Sequence, residues 1–251
     1  MLSAIGKGLS FILKKPGVYI TGLVLTLVQG GVFLLADPYL QPLVELGTFE
    51  YALQDPVAGI IAVLALLLNL SISIYLLAWV SHQIHSESNV QLGVNALRLS
   101  VLLLLAGGAW VFVSNALAEA VLSENSIISI VSLLLALGLG ILTLFALVKW
   151  MFTFSYLGTG ASIKEALAQS WHFTQGKGFH ALALGIILLV ITTLLSGIQD
   201  LVLSGVSEEL FLLGVGALFQ SLAAVYGAAV LGSAIQMGLH EKSFVKHARR
   251  R

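Results

Sequence analysis

The chain has 251 residues, of which 58% are hydrophobic without counting glycine and only 10% are charged. A soluble domain has roughly 45–50% apolar residues with glycine included and about 25% charged residues. This composition, with a mean hydropathy of +1.01, excludes a soluble globular enzyme, a disordered chain and a nucleic-acid-binding protein. It indicates a chain solvated mostly by lipid. The absence of cysteine excludes disulfides and thiolate chemistry.

Six apolar runs are long enough to cross a membrane, since a helix needs about 20 residues to span a hydrocarbon core of about 30 Å. Backbone groups in lipid must satisfy their own hydrogen bonds, so each run is predicted to be a helix. We therefore predict an all-α, polytopic membrane protein, with residues 1–251 forming a single six-helix bundle. The predicted spans are residues 17–36, 57–80, 96–117, 127–148, 180–198 and 211–237.

The basic residues fall on only one of the two sides that six spans define. All twelve lysines and arginines lie on the side of the termini, and the other side carries nine acidic residues and no lysine or arginine. Basic residues in short loops stay in the cytoplasm, so we predict a multi-pass cell-membrane protein with both termini cytoplasmic. The acidic residues of the opposite side are Asp37, Glu45, Glu50, Asp55, Glu119, Glu124, Asp200, Glu208 and Glu209.

Residues 163–175 are predicted to form an amphipathic helix lying on the cytoplasmic face of the membrane. Ser162 and Glu165 have the capping-box spacing, and Gly176 suits the position after a helix C-terminus. Trp171 lies at the edge of the apolar face, where its ring suits the headgroup layer. The apolar face is predicted to comprise Ile163, Ala166, Leu167, Ser170, Trp171 and Thr174.

Residues 2–15 are predicted to form a second interfacial helix. Pro16 disfavours helical geometry at Lys15 and so separates this helix from the first span. One stripe of the helix is apolar and the opposite stripe is polar, as expected for a helix at the membrane surface. The apolar stripe is Leu2, Ile5, Leu9, Ile12 and Leu13, and the polar stripe is Ser3, Lys7, Ser10 and Lys14.

The spacing of these segments suggests a three-fold repeat of an interfacial helix followed by a hairpin of two spans. The units would be roughly residues 1–80, 81–155 and 156–240, with 89–97 as the middle surface helix. The alternative is that the surface segments are separate loops, because residue identity between the units is low.

Five amide side chains lie inside the predicted spans and are the candidate polar residues within the membrane. None is ionisable, which disfavours a proton- or ion-coupled carrier. Interhelical hydrogen bonding is the simplest interpretation, and lining of a solute cavity is the alternative. Small residues four apart in the first, fourth and sixth spans indicate close helix packing. The five amides are Gln29, Asn69, Asn115, Gln220 and Gln236.

Basic and aromatic residues near the cytoplasmic side are the candidate lipid-interface site. The basic tail, residues 240–251, can attract anionic headgroups at about 1 kcal/mol per charge, or can simply hold the last span in place. His82, His85 and Glu87 could in principle ligate a metal, but they do not form a recognised metal motif. No metal, cofactor or catalytic residue is predicted. The interface candidates are Lys14, Lys15, Trp171, Lys177, Arg249, Arg250 and Arg251.

The segment Ser162–Gly176 contains Glu-Ala-Leu-x-x-Ser-Trp-x-x-Thr-x-Gly, directly followed by a span. It resembles a segment in a group of multi-span prokaryotic proteins that includes the membrane domain attached to some glycerophosphodiester phosphodiesterases. The resemblance implies a membrane fold and location, and it implies no catalytic residue, because the soluble phosphodiesterase domain has no counterpart in this sequence.

The function expected first is that of a non-enzymatic accessory, lipid-organising or complex-forming subunit. Its partners would be the lipid bilayer with its anionic headgroups, and a membrane protein or a second copy of the chain, with no nucleic acid. The alternative is a permease or channel-like protein for a small or lipidic solute. A third possibility, a membrane-embedded lipid enzyme, would depend on His82, His85 and His172.

Overall fold

The computed structural model describes residues 2–46, 55–85, 92–122, 126–204 and 208–248. These residues are almost entirely helical and contain no strand. Six of the helices are long and apolar enough to cross a membrane. The predicted all-α architecture with six span-like helices is confirmed, as expected for a multi-pass membrane protein.

Each predicted span lies within one long helix, and short helices precede or connect some of them. The helices in chain order are α1 (Leu2–Lys14), α2 (Pro16–Leu46), α3 (Pro56–His85), α4 (Leu92–Val121), α5 (Ser126–Trp150), α6 (Thr153–Gly158), α7 (Ile163–Thr174), α8 (Gly178–Leu203) and α9 (Glu209–Ala248). The six long helices are α2, α3, α4, α5, α8 and α9.

All six long helices extend beyond the limits that hydropathy predicts, and α2 and α9 extend furthest. Helix α2 continues past residue 36 and contains Pro38 and Pro42, so the end of the apolar run is not the end of the helix. Helix α9 continues to Ala248, so most of the predicted basic tail is helical. The predicted middle surface helix was wrong in its described part, because residues 92–97 are the first turns of α4. Residues 89–91 lie outside the described residues.

Two helix starts follow directly from local sequence. The carboxylate of Asp55 accepts a hydrogen bond from the backbone N–H of Ala58 at 3.0 Å, which caps α3. Pro56 occupies the first helical position, where its missing N–H removes no bond. Pro16 likewise opens α2, and α1 ends at Lys14, so the predicted break at Lys15 is confirmed.

Both predicted terminal signals of α7 are confirmed. Ser162 Oγ accepts a hydrogen bond from Glu165 N, and Glu165 Oε2 accepts one from Ser162 N at 2.9 Å. These bonds to Ser162, the backbone one first, lower the pKa of the Glu165 carboxyl because they favour its charged form. Gly176 adopts a φ of +74°, which a residue with a Cβ rarely adopts.

The buried core lies toward one end of the long helices, where Lys15, Lys149 and Lys177 also lie; we name it the basic end. The opposite, acidic end carries Asp37, Asp55 and Glu208. One cluster at the basic end contains buried side chains from α1, α3, α4, α6, α7, α8 and α9, and a second joins α2, α3 and α9. The short helices therefore complete the core.

Helices α3 and α9 are central and α5 is peripheral. In the most apolar part of α9, 28% of the residues are buried, against 6% for the corresponding part of α5. No described side chain of α4 between residues 101 and 121 is buried, and in α5 only Ser132 is. The outer surfaces of α4 and α5 are thus almost continuous apolar side chains, as lipid contact requires.

The tightest helix contact joins the short α6 to α3. A methyl group added at Gly158 would overlap the carbonyl oxygen of Ala78 and come within 2.8 Å of His82 N. Ser81 Oγ donates a hydrogen bond to the Ser155 carbonyl at 3.0 Å, which joins the same two helices. Backbones can approach this closely only where the intervening residue lacks a side chain.

We expect Gly158→Ala to destabilise the protein because the new methyl would meet backbone atoms of α3, which cannot move cheaply. Overpacking of this kind costs about 1–3 kcal/mol. A chain of this length loses roughly 2–4 °C in melting temperature per kcal/mol. The measurement is thermal loss of helical ellipticity of the purified protein in detergent.

Gly138→Ala is the matched control, since nothing lies within 4 Å of a methyl added there. Both changes add one methyl group to a helical glycine, and alanine is the better helix former at either position, so a loss of stability confined to Gly158→Ala reports the packing. Equal melting temperatures for the two variants would contradict the close approach of α6 to α3.

Candidate lipid-interface site

Helix α1 presents three different faces at the basic end. Ala4 and Gly8 are buried, and a methyl added at Gly8 would lie 2.7 Å from Val230 of α9. Leu9 and Leu13 are exposed, at 53% and 74% of their surface. The polar stripe faces a third direction. The predicted apolar stripe is therefore only partly a packing face: Ile5 and Ile12 pack against the buried core, whereas Leu9 and Leu13 do not.

Lys149 lies beside two aromatic rings at the end of α5. Its Nζ is 5.4 Å from the centroid of the Phe145 ring and 5.1 Å from that of Trp171 on α7. The two rings meet edge to face at 5.6 Å. Ser170 Oγ also donates a hydrogen bond to the Lys149 carbonyl at 2.7 Å, so α7 is held against the end of α5.

Two other lysines of the basic end also contact aromatic rings. Lys15 Nζ lies 5.3 Å from the centroid of Phe11 and donates a hydrogen bond to the Gln83 carbonyl at 2.9 Å, which connects α1 to α3. Lys177 Nζ lies 5.8 Å from the centroid of Phe173. Each cation–aromatic contact contributes about 0.5–1 kcal/mol when exposed and about 2 kcal/mol when desolvated.

The structure places the predicted interface residues unevenly. Lys15, Trp171 and Lys177 take part in these contacts, and Lys14 is exposed at the last turn of α1. Arg249, Arg250 and Arg251 lie outside the described residues. We call these residues the aromatic lysine set: Lys15, Lys149 and Lys177 with the rings of Phe11, Phe145, Trp171 and Phe173.

The predicted face of α7 is only partly the face that packs. Ala166, Ser170 and Thr174 are buried against protein, whereas Trp171 is 39% exposed. Phe173, which the predicted face omits, contacts the rings of Phe152 and Tyr156, with centroids 4.8 and 6.3 Å away. The spacing 166–170–173 is also helical, so the sequence contained a signal for this second face.

Two of the five intramembrane amides form a satisfied pair between α2 and α3. Gln29 Nε2 lies 2.9 Å from the Asn69 carbonyl, 3.0 Å from Asn69 Oδ1 and 2.6 Å from Ser73 Oγ, so its two hydrogens are shared among three acceptors. Asn69 Nδ2 donates to the Gln29 carbonyl at 3.3 Å. This arrangement is an interhelical hydrogen-bond pair.

The other three amides lie elsewhere. Asn115 is exposed on α4, Gln220 is exposed on α9, and Gln236 is half-buried near the basic end of α9. The structure therefore brings Gln29 and Asn69 together, while Gln220 does not join their hydrogen-bonded group.

His82, His85 and His172 each have a separate backbone or local hydrogen-bond partner. His82 Nδ1 lies 3.3 Å from the Gly158 carbonyl, and His85 Nδ1 lies 2.8 Å from the Ser81 carbonyl. His172 Nδ1 lies 3.4 Å from Gln175 Oε1 on its own turn. Within the described part of the chain, no group of three or more histidine, aspartate or glutamate side chains is arranged to hold a metal ion.

Comparison with models of protein families, with curated proteins and with solved structures finds no match to this chain.

We expect Asn69→Leu to destabilise the protein, because it removes the acceptor and donor that face Gln29 within the apolar part of the structure. Interhelical hydrogen bonds in membranes contribute about 0.6 kcal/mol on average and up to about 1.7 kcal/mol. The measurement is the free energy of unfolding in mixed micelles.

Gln220→Leu is the control, since Gln220 is exposed and the change also replaces an amide by leucine in a long helix. It should leave stability unchanged or raise it. A larger loss for Gln220→Leu than for Asn69→Leu would contradict the assignment of the Gln29–Asn69 pair as a helix-joining contact.

Proposed function

We propose that this chain is a non-enzymatic, multi-pass membrane protein that associates with anionic lipid at its basic end and acts as an accessory or complex-forming subunit. The basic end would face the cytoplasm of the cell, as the positive-inside rule requires. The observation that carries the proposal is the aromatic lysine set, in particular the contact of the Lys149 ammonium group with the rings of Phe145 and Trp171.

The aromatic lysine set suits the headgroup layer for two reasons. Tryptophan and lysine are favoured at the boundary between hydrocarbon and water, because one end of each of these side chains is apolar and the other is hydrated. The phenylalanine rings of the set add apolar surface beside them. A lysine held by rings at that depth keeps its charge close to lipid phosphates. Each such charge near an anionic surface contributes about 1 kcal/mol of attraction.

The three faces of α1 support the same placement. A helix at the edge of a membrane protein meets protein, lipid and water at once. Gly8 packs on protein, Leu9 and Leu13 are exposed, and Lys7 and Lys14 occupy the remaining side. This arrangement is expected of an interfacial helix whose leucines contact acyl chains.

The alternatives draw less support from the geometry. A permease formed by Gln29, Asn69 and Gln220 would need the three amides around one cavity, whereas the first two bind each other and Gln220 is exposed. A lipid enzyme built on His82, His85 and His172 would need convergent imidazoles, and each of these has its own partner.

We also propose a relationship to the membrane domains that Ser162–Gly176 resembles. The support is local: the capping box at Ser162, the Trp171 contact and the positive φ of Gly176 give physical roles to three of the residues that the resemblance rests on. Such a relationship would imply a shared fold and a shared membrane location, and it would imply no shared chemistry.

The orientation can be tested with single cysteines, because the chain has none. Gln175→Cys lies at the basic end and Ser204→Cys at the acidic end, and both positions are exposed. In intact cells, a membrane-impermeant maleimide should label Ser204→Cys alone, and after lysis it should label both. Labelling of Gln175→Cys without lysis would overturn the orientation.

Lipid selectivity can be tested with spin-labelled lipids in vesicles that contain the reconstituted protein. The proposal expects stronger association of phosphatidylglycerol than of phosphatidylcholine, reduced by salt because exposed charges are screened. Replacing Lys149 by Gln should reduce that preference by up to roughly fivefold, the effect of one interfacial charge.

Asp200→Asn is the control for charge change, since Asp200 is exposed at the acidic end. In vesicles of one lipid composition on both sides, it removes a repulsion and so should not lower the preference for phosphatidylglycerol. A wild-type protein with equal association constants for the two lipids would contradict the proposed function.

A further inference from the structure

A cavity of about 370 Å³ opens at the basic end between α1, α7, α8 and α9, and Phe152, which precedes α6, also lines it. Its volume falls within the range of about 300–1,000 Å³ that small-molecule sites have. The interior is mostly apolar, and the polar side chains Ser3, Thr174, Lys177 and His180 complete the lining. Neither aspartate nor glutamate is among the lining residues that the structure describes.

The two ends of the cavity lining differ in chemistry. Lys177 and His180 are exposed neighbours at the start of α8, one a cation and the other an imidazole that can donate a hydrogen bond in either protonation state. Leu184 is 3% exposed one turn further along α8, and Phe173 and Met237 line the apolar part. An occupant with an anionic group beside Lys177 and His180 and an apolar chain along the rest would complement this lining.

The local backbone adds to the attraction for an anion. Helix α8 begins at Gly178 with no side-chain cap and no acidic residue in its first turn. The positive end of the helix dipole thus lies beside Lys177 and His180, where negative charge is stabilised. Phe179 is 80% exposed, so an apolar ring flanks Lys177 and His180 on the outer surface.

We propose that this cavity binds one anionic phospholipid, whose phosphate contacts Lys177 and His180. One of its two acyl chains extends along Phe173, Leu184 and Met237, and the other remains in the bilayer. The proposal rests on the proposed function because it requires the basic end to face an anionic leaflet. It goes further, since it predicts a single lipid in a defined site, in contrast to a general preference at the protein surface.

The test counts lipids that remain bound to the full-length protein by native mass spectrometry. Wild-type protein from nanodiscs of equal parts phosphatidylglycerol and phosphatidylcholine should retain a single phosphatidylglycerol through exhaustive detergent exchange. Lys177→Gln should weaken this binding by roughly tenfold, as expected for loss of one charge-assisted contact. Lys177→Arg should restore it.

Filling the cavity gives a second, independent readout. Ala234→Leu places extra methyl groups against the lining and should prevent retention of the lipid. Ala136→Leu is the matched control, because Ala136 lines a separate cavity of about 360 Å³ between α4 and α5. It should leave the retained phosphatidylglycerol unchanged. If Ala234→Leu fails to fold, retention of phosphatidylglycerol by the Lys177→Gln variant tests the proposal instead, because Lys177 is exposed and its replacement should not disturb folding.

Competition identifies the source of the phosphate. Inorganic phosphate and sn-glycerol 3-phosphate at millimolar concentration should not displace the lipid, because they lack the acyl chain that fills the apolar part. Displacement by either would show a site for soluble phosphate compounds and would overturn the lipid assignment. Loss of all lipid from the wild type would also overturn it, whereas the spin-label preference would still support the proposed function.

Discussion

Inside a bilayer the backbone must form its own hydrogen bonds, and this constraint shapes the whole molecule. It makes every span a helix, so helices can associate only through side-chain packing, a few polar contacts and close backbone approach. A very close approach occurs at Gly158, which lets α6 lie against Ala78 and His82 of α3. Because α6 also contacts α7, this contact connects α7 to the central helix α3.

Much of the fold was predictable, because helix length and apolar content are one-dimensional properties of a sequence. The six long helices, the break at Pro16 and both terminal signals of α7 follow from residues within a few positions of each other. Packing depends on which helices are neighbours, so the small-residue stripes had different outcomes. Gly22 and Gly30 on α2 contact α9, whereas Gly140 on α5 has nothing near it.

The candidate site was predictable in its members and less so in their contacts. Lys15, Trp171 and Lys177 stand out by type and by position next to a span. The pairing of Lys149 with Trp171 could not be predicted, because it joins residues 22 positions apart across a turn whose direction the short helix α6 sets. Phe173 was missed for a different reason, since it lies beside Ala166 and Ser170 just outside the predicted apolar face of α7.

The packing of α7 bears on how the basic end can contact lipid. An amphipathic pattern alone predicts a helix that lies flat with its apolar face in the acyl chains, but Ala166, Ser170 and Thr174 are covered by protein. Under the proposed function, lipid contact by α7 would therefore be concentrated at its edge, where Trp171 is partly exposed beside Lys149. A surface built in this way would offer fixed charges at a few positions, which favours selection among headgroups over general adhesion to the membrane.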